Sequence, residues 1–287
     1  MVFDEIKVRE IETKYKNGER LKRSERIYYQ GMFGIRRDDI KYYMNSYELN
    51  EYVISKTDIN YFIEKYMGIF LNDAQKKVME SYHENRFNIY MASRHIGIEN
   101  IFIYTTLHTL LFNNKTILFI DNDADSAYEK INTLKTYLTK LPFFLKQGVN
   151  TLNKSAIKFE NGSSLFVSSS KPIIMSRYYN EIFLFDMALW SNKKANDIYS
   201  LSIPSISSDH NNKLTIISPP NGHNKFYELF RNAELPEDDP GKTQFYATRV
   251  YWWEILGNDI QWKSNMLMDY GQEYFNKYID MKFYSKE

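Results

Sequence analysis

The sequence predicts an α/β fold in which a mostly parallel sheet is covered by helices on both faces. Short apolar runs such as 87–92 and 182–185 have the length and the continuous hydrophobicity of strands that are buried on both sides. Segments with the apolar spacing of helices alternate with these runs, as they do where helices connect neighbouring parallel strands. The pattern at 87–112 is a strand, a turn with a glycine at its end, and a helix.

The N-terminal part of the chain differs from this pattern. Residues 1–56 are rich in charge and tyrosine, with few apolar positions between residues 5 and 26. We expect an N-terminal helical arm over 1–56 and one domain over 57–287. The arm would be an exposed helix, a partner-binding segment or a partly disordered segment.

From residue 57 onward, apolar spacing, capping residues and turn residues predict the elements. Asp123 or Asp125 would cap a helix that Pro142 ends, and the pair Asn161-Gly162 suits a type I′ hairpin turn. The predicted helices are 61–66, 73–82, 99–112, 123–140, 223–232 and 259–278. The predicted strands are 87–92, 116–121, 155–160, 163–168, 181–186, 213–218 and 244–251.

Composition excludes several classes of site. The 287 residues carry 37 basic and 36 acidic side chains, a net charge of +1, so the chain lacks the overall charge of a nucleic-acid-binding protein but could carry a local basic stripe. With no cysteine, there is no disulfide, no thiolate metal site and no thiol nucleophile. No apolar stretch approaches the about 18 residues of a membrane span, and the charged N-terminus does not have the pattern of a signal peptide.

The turn at 93–100 has the position of a phosphate-binding P-loop but lacks its polar residues. A working loop ends in Gly-Lys-Ser/Thr, whose Lys reaches the phosphates and whose hydroxyl binds Mg²⁺, while backbone N–H groups at the helix start hold the anion. Gly97 is in place, but Ile98 replaces the Lys and Glu99 replaces the hydroxyl. Two unit charges about 4 Å apart interact by about 4 kcal/mol at an effective dielectric constant near ~20. Glu99 would therefore oppose a bound phosphate, or it would simply complement the helix dipole.

Other segments, in the same order along the chain, resemble landmarks of the N-terminal ATPase domain of large terminase subunits, the DNA-packaging motors of tailed phages. In that family a Gln beside the adenine precedes an Arg-Gln-x-Gly-Lys-Thr loop, a Walker B strand ends in Asp-Glu, and a coupling motif follows. The matching segments here are 61–66, Gln75, 85–87, 93–97, 141–145, 160–164, 183–186, 216–227 and the positions Trp262, Gly271, Phe275 and Phe283. The resemblance implies a P-loop NTPase-like fold with a C-terminal helical lid. The chain ends where the family's nuclease domain would begin.

The resemblance also implies a role for each matching position. Asp186 would hold a Mg²⁺-bound water, and Arg94 would be a second catalytic group. Met187 occupies the position of the Glu that orients the attacking water, a task that methionine cannot perform. Arg177 matches a further arginine of the family, and Ser218 and Pro219 would form the coupling motif. The nucleotide-binding positions would be Gln75, Ser93, Arg94, His95, Ile96, Gly97, Ile98, Glu99 and Asn100.

We therefore expect a terminase large subunit-like protein of viral DNA packaging that serves as a structural or regulatory subunit and does not hydrolyse ATP at its own site. By resemblance, its cofactors would be ATP and Mg²⁺. Its partners would be double-stranded DNA, the portal ring, a small terminase subunit and other terminase chains in a homo- or hetero-oligomer. The host cytoplasm would be its location, without a membrane partner.

Three alternatives remain. The chain could be an active packaging ATPase whose catalytic groups are displaced, with Lys171 or Lys193 as the missing cation, or are supplied by a neighbouring subunit. It could be a non-enzymatic DNA- or capsid-binding module on the same fold. It could also be one part of a terminase that is split over two polypeptides.

The remaining motifs have structural interpretations. The run 121–125 begins like a calcium-binding EF-hand loop but lacks the Gly and the final Glu, so we expect a strand-end loop and a helix cap. The five histidines show no metal-ligand spacing. Tyr251-Trp252-Trp253 is either a stacking platform for bases or the packing surface of the C-terminal helix.

Overall fold

The structure is a computed structural model, and it describes residues 10, 11, 13, 14, 22, 46–169, 172–255 and 257–281. Most of the predicted arm, including almost all of the helix at 5–26, lies outside the described residues, and so do Lys171 and Phe283.

The core of the fold is an eight-stranded sheet. Its strands stand in the order β3-β4-β5-β2-β6-β7-β1-β8. The pairs are parallel except β3 with β4 and β4 with β5, which are antiparallel. The strands are β1 (Phe87–Ala92), β2 (Thr116–Ile120), β3 (Val149–Leu152), β4 (Ala156–Phe159), β5 (Ser164–Ser168), β6 (Glu181–Phe185), β7 (Lys213–Ser218) and β8 (Tyr246–Val250). The predicted mostly parallel sheet is confirmed.

Helices cover both faces of this sheet. The α-helices are α1 (Ser46–Thr57), α2 (Ile59–Phe62), α3 (Asp73–Glu84), α4 (Ile98–Phe112), α5 (Ala124–Lys140), α6 (Pro172–Met175), α7 (Asn192–Ile206), α8 (Lys225–Ala233) and α9 (Ile260–Tyr274). Helices α3, α4 and α5 belong to one core cluster, and α7 and α8 belong to the other. Along β6, Phe183 and Phe185 join the first cluster while Ile182 and Leu184 join the second, as the alternation of side chains along a strand requires.

Local signals explain several boundaries. Asp123 caps α5 by accepting a hydrogen bond from the Ser126 amide at 2.9 Å, which confirms the predicted cap. Asn72 and Gln75 form a reciprocal capping box at the start of α3. At its C-terminal end, α9 continues into a π-helical turn (Phe275–Ile279).

The structure corrects the sequence-based prediction at several places. Strand β3 and helices α6 and α7 were not predicted. Helix α7 was missed because its buried positions include only three apolar residues, Ala195, Ile198 and Ile206, and because Pro204 lies inside it. The predicted type I′ turn at 161–162 is wrong: Gly162 has φ 89°, but Asn161 is not among the described residues with positive φ, and a type I′ turn needs both.

Helix α1 crosses the expected limit of the arm at residue 56 and packs on the rest of the domain. Its buried Glu51 accepts hydrogen bonds from the Tyr61 and Tyr66 hydroxyls and pairs with Lys65. The Ser55 carbonyl, on the same helix, lies 2.9 Å from the imidazole of His108 on α4. Among the described residues, no helix has both the length and the apolarity to cross a membrane.

Candidate functional site

The candidate site begins at the turn between β1 and α4. Gly97, the residue before α4, has φ 75°, a left-handed conformation that glycine adopts without strain. His95 also has a positive φ of 63°. Ile96 and Ile98 are buried in the core cluster on the α4 side of the sheet. The sequence thus forms a tight strand-to-helix turn, anchored by two isoleucines that point into the core.

The C-terminal segment, α9 with its π-helical turn (260–279), covers this turn. The Ser93 hydroxyl donates to the Ile279 carbonyl at 2.6 Å, and the Arg94 amide donates to the Tyr278 carbonyl at 2.8 Å. His95 stacks on Tyr270, with ring centroids 5.3 Å apart. Two groups at the start of the turn, a hydroxyl and an amide, are therefore already bound to protein carbonyls.

Arg94 bridges the turn to the end of β6. Its guanidinium donates to Asp186 Oδ2 at 2.9 Å, and Asp186 follows β6 in a left-handed conformation with φ 53°. The other carboxylate oxygen of Asp186 and the Nε of Arg94 are buried and have no hydrogen-bond partner among the described residues. Burial and the nearby charge of Glu99 raise the pKa of Asp186 to about 7, although Arg94 opposes the shift.

A second ion-pair group lies beside the first. Lys130, on α5, contacts Asp121 Oδ2 at 2.5 Å and Glu99 Oε2 at 3.1 Å. Asp121 follows β2 and is 1% exposed. Burial alone would lower the pKa of Lys130, but the charges of Glu99 and Asp121 outweigh burial and raise it. Glu99 is thus held by a cation from a different helix.

The sequence prediction missed Lys130. The lysines predicted as a displaced cation were Lys171, which lies outside the described residues, and Lys193, which is exposed in the first turn of α7. The position of Lys130 on α5 matches no motif. The available signal was the spacing between Asp121 and Lys130. At this spacing, a residue two turns into the helix lies back over the end of the preceding strand.

The turn after β6 is largely buried and is joined to the segment after β7. Met187 is 1% exposed and belongs to the core cluster that contains α7 and α8, so its side chain does not enter the candidate site. The buried Ser218 hydroxyl accepts from the Ala188 amide at 3.0 Å and donates to the Pro219 carbonyl at 2.8 Å. Asn221 and Asn224 both donate to the Ala188 carbonyl, at 2.9 and 2.7 Å.

The structure brings most of the predicted site residues to one region. Gln75 lies close to the turn, because its Nε2 would be 3.9 Å from a Cβ placed on Gly97. Ser218 is linked to the region by the hydrogen bond that its hydroxyl accepts from the Ala188 amide, and Pro219 is linked to Ser218. Asn100 is exposed, and its side chain has no hydrogen bond to any described residue. Within the described part of the chain, no group of three or more His, Asp or Glu side chains is placed to hold a metal ion.

The remaining motifs take structural positions. Asp121 binds Lys130 and Asp123 caps α5, as the cap interpretation of 121–125 predicts. Trp252 stacks on Trp262 of α9 at 5.3 Å and donates from Nε1 to Asp280 at 2.9 Å. This confirms the packing interpretation for Trp252, whereas Trp253 is 53% exposed.

Comparison with solved structures identifies the fold. No family model matches the sequence. The structure matches the large terminase ATPase domain of Thermus phage P74-26 at 15% identity with a TM-score of 0.61, covering 77% of this chain and 97% of that domain. It matches the HK97 bacteriophage large terminase at 12% identity and a TM-score of 0.63, covering 79% of this chain and 54% of that one. It matches the large terminase of a further, thermophilic bacteriophage, solved in complex with ADP, at 15% identity and a TM-score of 0.55, covering 74% and 53%.

The present chain thus spans about half the length of the HK97 terminase and of the ADP-bound terminase. The resemblance inferred from its motifs is confirmed at the level of the fold, since identities near 15% carry no further conclusion. The chain has the α/β fold of the ATPase domain of phage large terminases.

Proposed function

We propose that this chain is a terminase large subunit-like component of a viral DNA-packaging motor that does not hydrolyse ATP at its own site. The ion pairs at the candidate site are the observation that supports the absence of ATP hydrolysis. Arg94 is paired with Asp186, and Lys130 is paired with both Glu99 and Asp121.

This set of residues does not fit a magnesium triphosphate. Three carboxylates (Glu99, Asp121 and Asp186) face two cations, so with Asp186 ionised the cluster has a net negative charge where a polyanion would bind. The position that follows Asp186 holds a buried methionine, which cannot orient water. The Arg94 amide, which lies in the turn, is already bound to Tyr278.

The expected partners and location follow from the proposed family role. We propose that double-stranded DNA, the portal ring, a small terminase subunit and other terminase chains are its partners, in the host cytoplasm. In that setting, the chain would contribute surfaces or the Arg94 side chain to a motor whose other subunits hydrolyse ATP. We retain the proposed division into an arm over 1–56 and a domain over 57–287, with α1 as the part of the chain that joins them by packing on the domain.

One observation favours a second candidate, an ATPase with a displaced lysine. Lys130 lies next to Glu99 at the start of α4, so a cation reaches the place where a P-loop lysine acts, although it comes from α5. One terminase of this fold was solved with ADP bound, so nucleotide binding occurs on this fold. In this alternative, Lys130 would have to release the Glu99 carboxylate and bind a phosphate oxygen instead.

Calorimetric titration with ATP and with ADP, each with Mg²⁺, together with single-turnover hydrolysis, tests the proposal. We expect no hydrolysis above the rate without protein, in the wild type and in Glu99→Gln alike. Glu99→Gln removes one negative charge while keeping the size of the side chain, so it should improve any residual nucleotide binding. Hydrolysis by the wild type that is lost in Asp186→Asn would contradict the proposal and support the second candidate.

A further inference from the structure

The chain's net charge near zero hides two oppositely charged regions. Between residues 146 and 180 the sequence has five cationic residues and one carboxylate, Glu160. Between residues 228 and 259 it has seven carboxylates and three cations. The first region contains β3, β4 and β5 at one edge of the sheet, and the second leads into β8 at the other edge. Charge is therefore segregated to opposite ends of the sheet.

The basic edge, which we define as Lys154, Lys158 and Arg177, consists of exposed cations, two of which, Lys158 and Arg177, lie over the Phe166 ring. The Arg177 guanidinium lies 4.0 Å from the centroid of the Phe166 ring, and the Lys158 ammonium lies 5.6 Å from it. None of the three cations pairs with a carboxylate among the described residues. The neighbouring Tyr178 is 70% exposed, so apolar surface accompanies the charge.

The acidic loop, which we define as residues 234–242, has the opposite property. Glu234 binds Arg249 of β8 at 2.7 Å, which fixes the loop against the edge strand. Lys242 pairs with Glu237, whose side chain is 91% exposed. Asp238 is exposed and has no cationic partner among the described residues. The cations of this region are thus engaged, and carboxylates remain in excess.

These two surfaces cannot neutralise each other within one molecule. Neighbouring strands lie about 4.8 Å apart, so the basic edge and β8 are separated by about 25–35 Å across the sheet. Exposed charges are screened beyond a Debye length of about 8 Å at physiological ionic strength. Any complementarity between the surfaces therefore acts between molecules.

We propose that the basic edge of one molecule binds the acidic loop of a second copy of this chain, in a head-to-tail contact. Because two different surfaces meet, each molecule in such a contact keeps its other surface open, and the assembly extends into a ring or a filament. Exposed Tyr178 at one surface, and Tyr246 beside the other, would supply apolar area to the contact. The inference names the surfaces through which subunits of the proposed motor would meet, but it does not depend on nucleotide or DNA.

Sedimentation of the full chain with charge-reversal variants tests this contact. The wild type should associate at about 50 mM salt and dissociate towards about 500 mM salt. Lys158→Glu with Arg177→Glu, and separately Glu237→Lys with Asp238→Lys, should each weaken association about tenfold or more. A mixture of the two variants should associate again, because each then carries the charge that the other needs. That recovery would also show that both variants are folded.

The matched control is Lys56→Glu with Lys77→Glu, which makes the same charge change at exposed lysines on α1 and α3. The control should associate like the wild type. A wild type that is monomeric at low salt, or a mixture that fails to recover, would overturn the proposal. So would loss of duplex-DNA binding in the basic-edge variant with unchanged self-association, since the basic edge would then be a nucleic-acid surface. None of these outcomes bears on ATP hydrolysis.

Discussion

Two turns at the carboxyl edge of the sheet are stabilised in opposite ways. The turn at 93–97 is only partly buried, and charged and aromatic groups hold it: Arg94 pairs with Asp186, and the C-terminal segment covers the turn with carbonyls and rings. The turn at 187–190, which follows Asp186, is largely buried, and neutral hydroxyl and amide groups hold its backbone. The first turn should therefore respond to pH and to loss of the C-terminal segment, whereas the second should behave like core.

The largest expected effect is that of Trp252→Ala, which should loosen the first turn more than the second. Trp252→Ala removes a side chain that packs α9 against the domain, and large-to-small changes of buried aromatic residues destabilise by about 3–5 kcal/mol. Hydrogen exchange should accelerate at the Arg94 amide, which donates to Tyr278, more than at the Ala188 amide, which donates to the Ser218 hydroxyl.

Trp253→Ala is the matched control, because that ring is 53% exposed and stacks on Tyr251. It should change the free energy of unfolding by less than about 1 kcal/mol. Equal loss of protection at both amides in Trp252→Ala would contradict the view that the C-terminal segment stabilises only the first turn.

Removal of one hydroxyl tests the second turn. Ser218→Ala leaves the buried Ala188 amide without its acceptor, and an unsatisfied buried donor costs about 1–3 kcal/mol. Urea denaturation should show this loss equally at acidic and alkaline pH, since no titrating group takes part. Ser207→Ala, at the exposed end of α7, should change stability by less than about 0.5 kcal/mol. If the loss of unfolding free energy in Ser218→Ala varied with pH, the second turn would be coupled to the charged groups of the first turn.

The pH dependence of the first turn comes from Asp186, the carboxylate that pairs with Arg94. The carboxyl group of Asp186 has an ordinary pKa of 3.8 and a folded pKa of about 7, so the folded state binds more protons between these values. The stability that this group contributes is present at low pH and is lost as pH rises towards and through 7. The stability advantage of Asp186→Asn, which cannot ionise, over the wild type should be about 1–3 kcal/mol larger near pH ~8 than near pH ~5.

His95 has the opposite effect on stability. Burial and the Arg94 charge lower its pKa, so the stability that neutral His95 contributes to the fold is lost as pH falls. It is present in both proteins and cancels in their difference. The difference in unfolding free energy, measured in urea at each pH, therefore reports Asp186 together with the charges that act on it. A wild type that is more stable than Asp186→Asn at alkaline pH would show that the Arg94 pair outweighs the burial of the carboxylate.

Much of the framework was predictable because it depends on local signals. The strands at 87–92 and 213–218 have the predicted bounds, since each is a continuous apolar run that the chain can bury on both faces. The cap at Asp123 was predictable because an N-cap residue binds an amide only three positions away. Helix α7 was not, because its helical pattern consists largely of small and polar residues whose burial depends on the sheet.

The candidate site was predictable in position but not in its interactions. The chain order placed Gly97, Glu99 and Asp186 at strand ends that meet at one edge of a parallel sheet. No sequence pattern indicated that Lys130 would bind Glu99, because these residues lie on different helices and meet only when both helices pack on the same face of the sheet. The contacts of Ser93 and Arg94 with residues 278 and 279 join positions nearly two hundred residues apart along the chain.

The sequence by itself determined the alternation of strands and helices, the absence of thiol chemistry and the presence of an isoleucine, Ile98, directly after Gly97. These properties follow from residue identity and from neighbours within one or two helical turns. Only the tertiary structure decided the partners of Arg94, Lys130 and Met187, and the separation of the basic edge from the acidic loop. The physical reason is that electrostatic energy and burial depend on distance in space, and packing sets that distance between residues far apart in the chain.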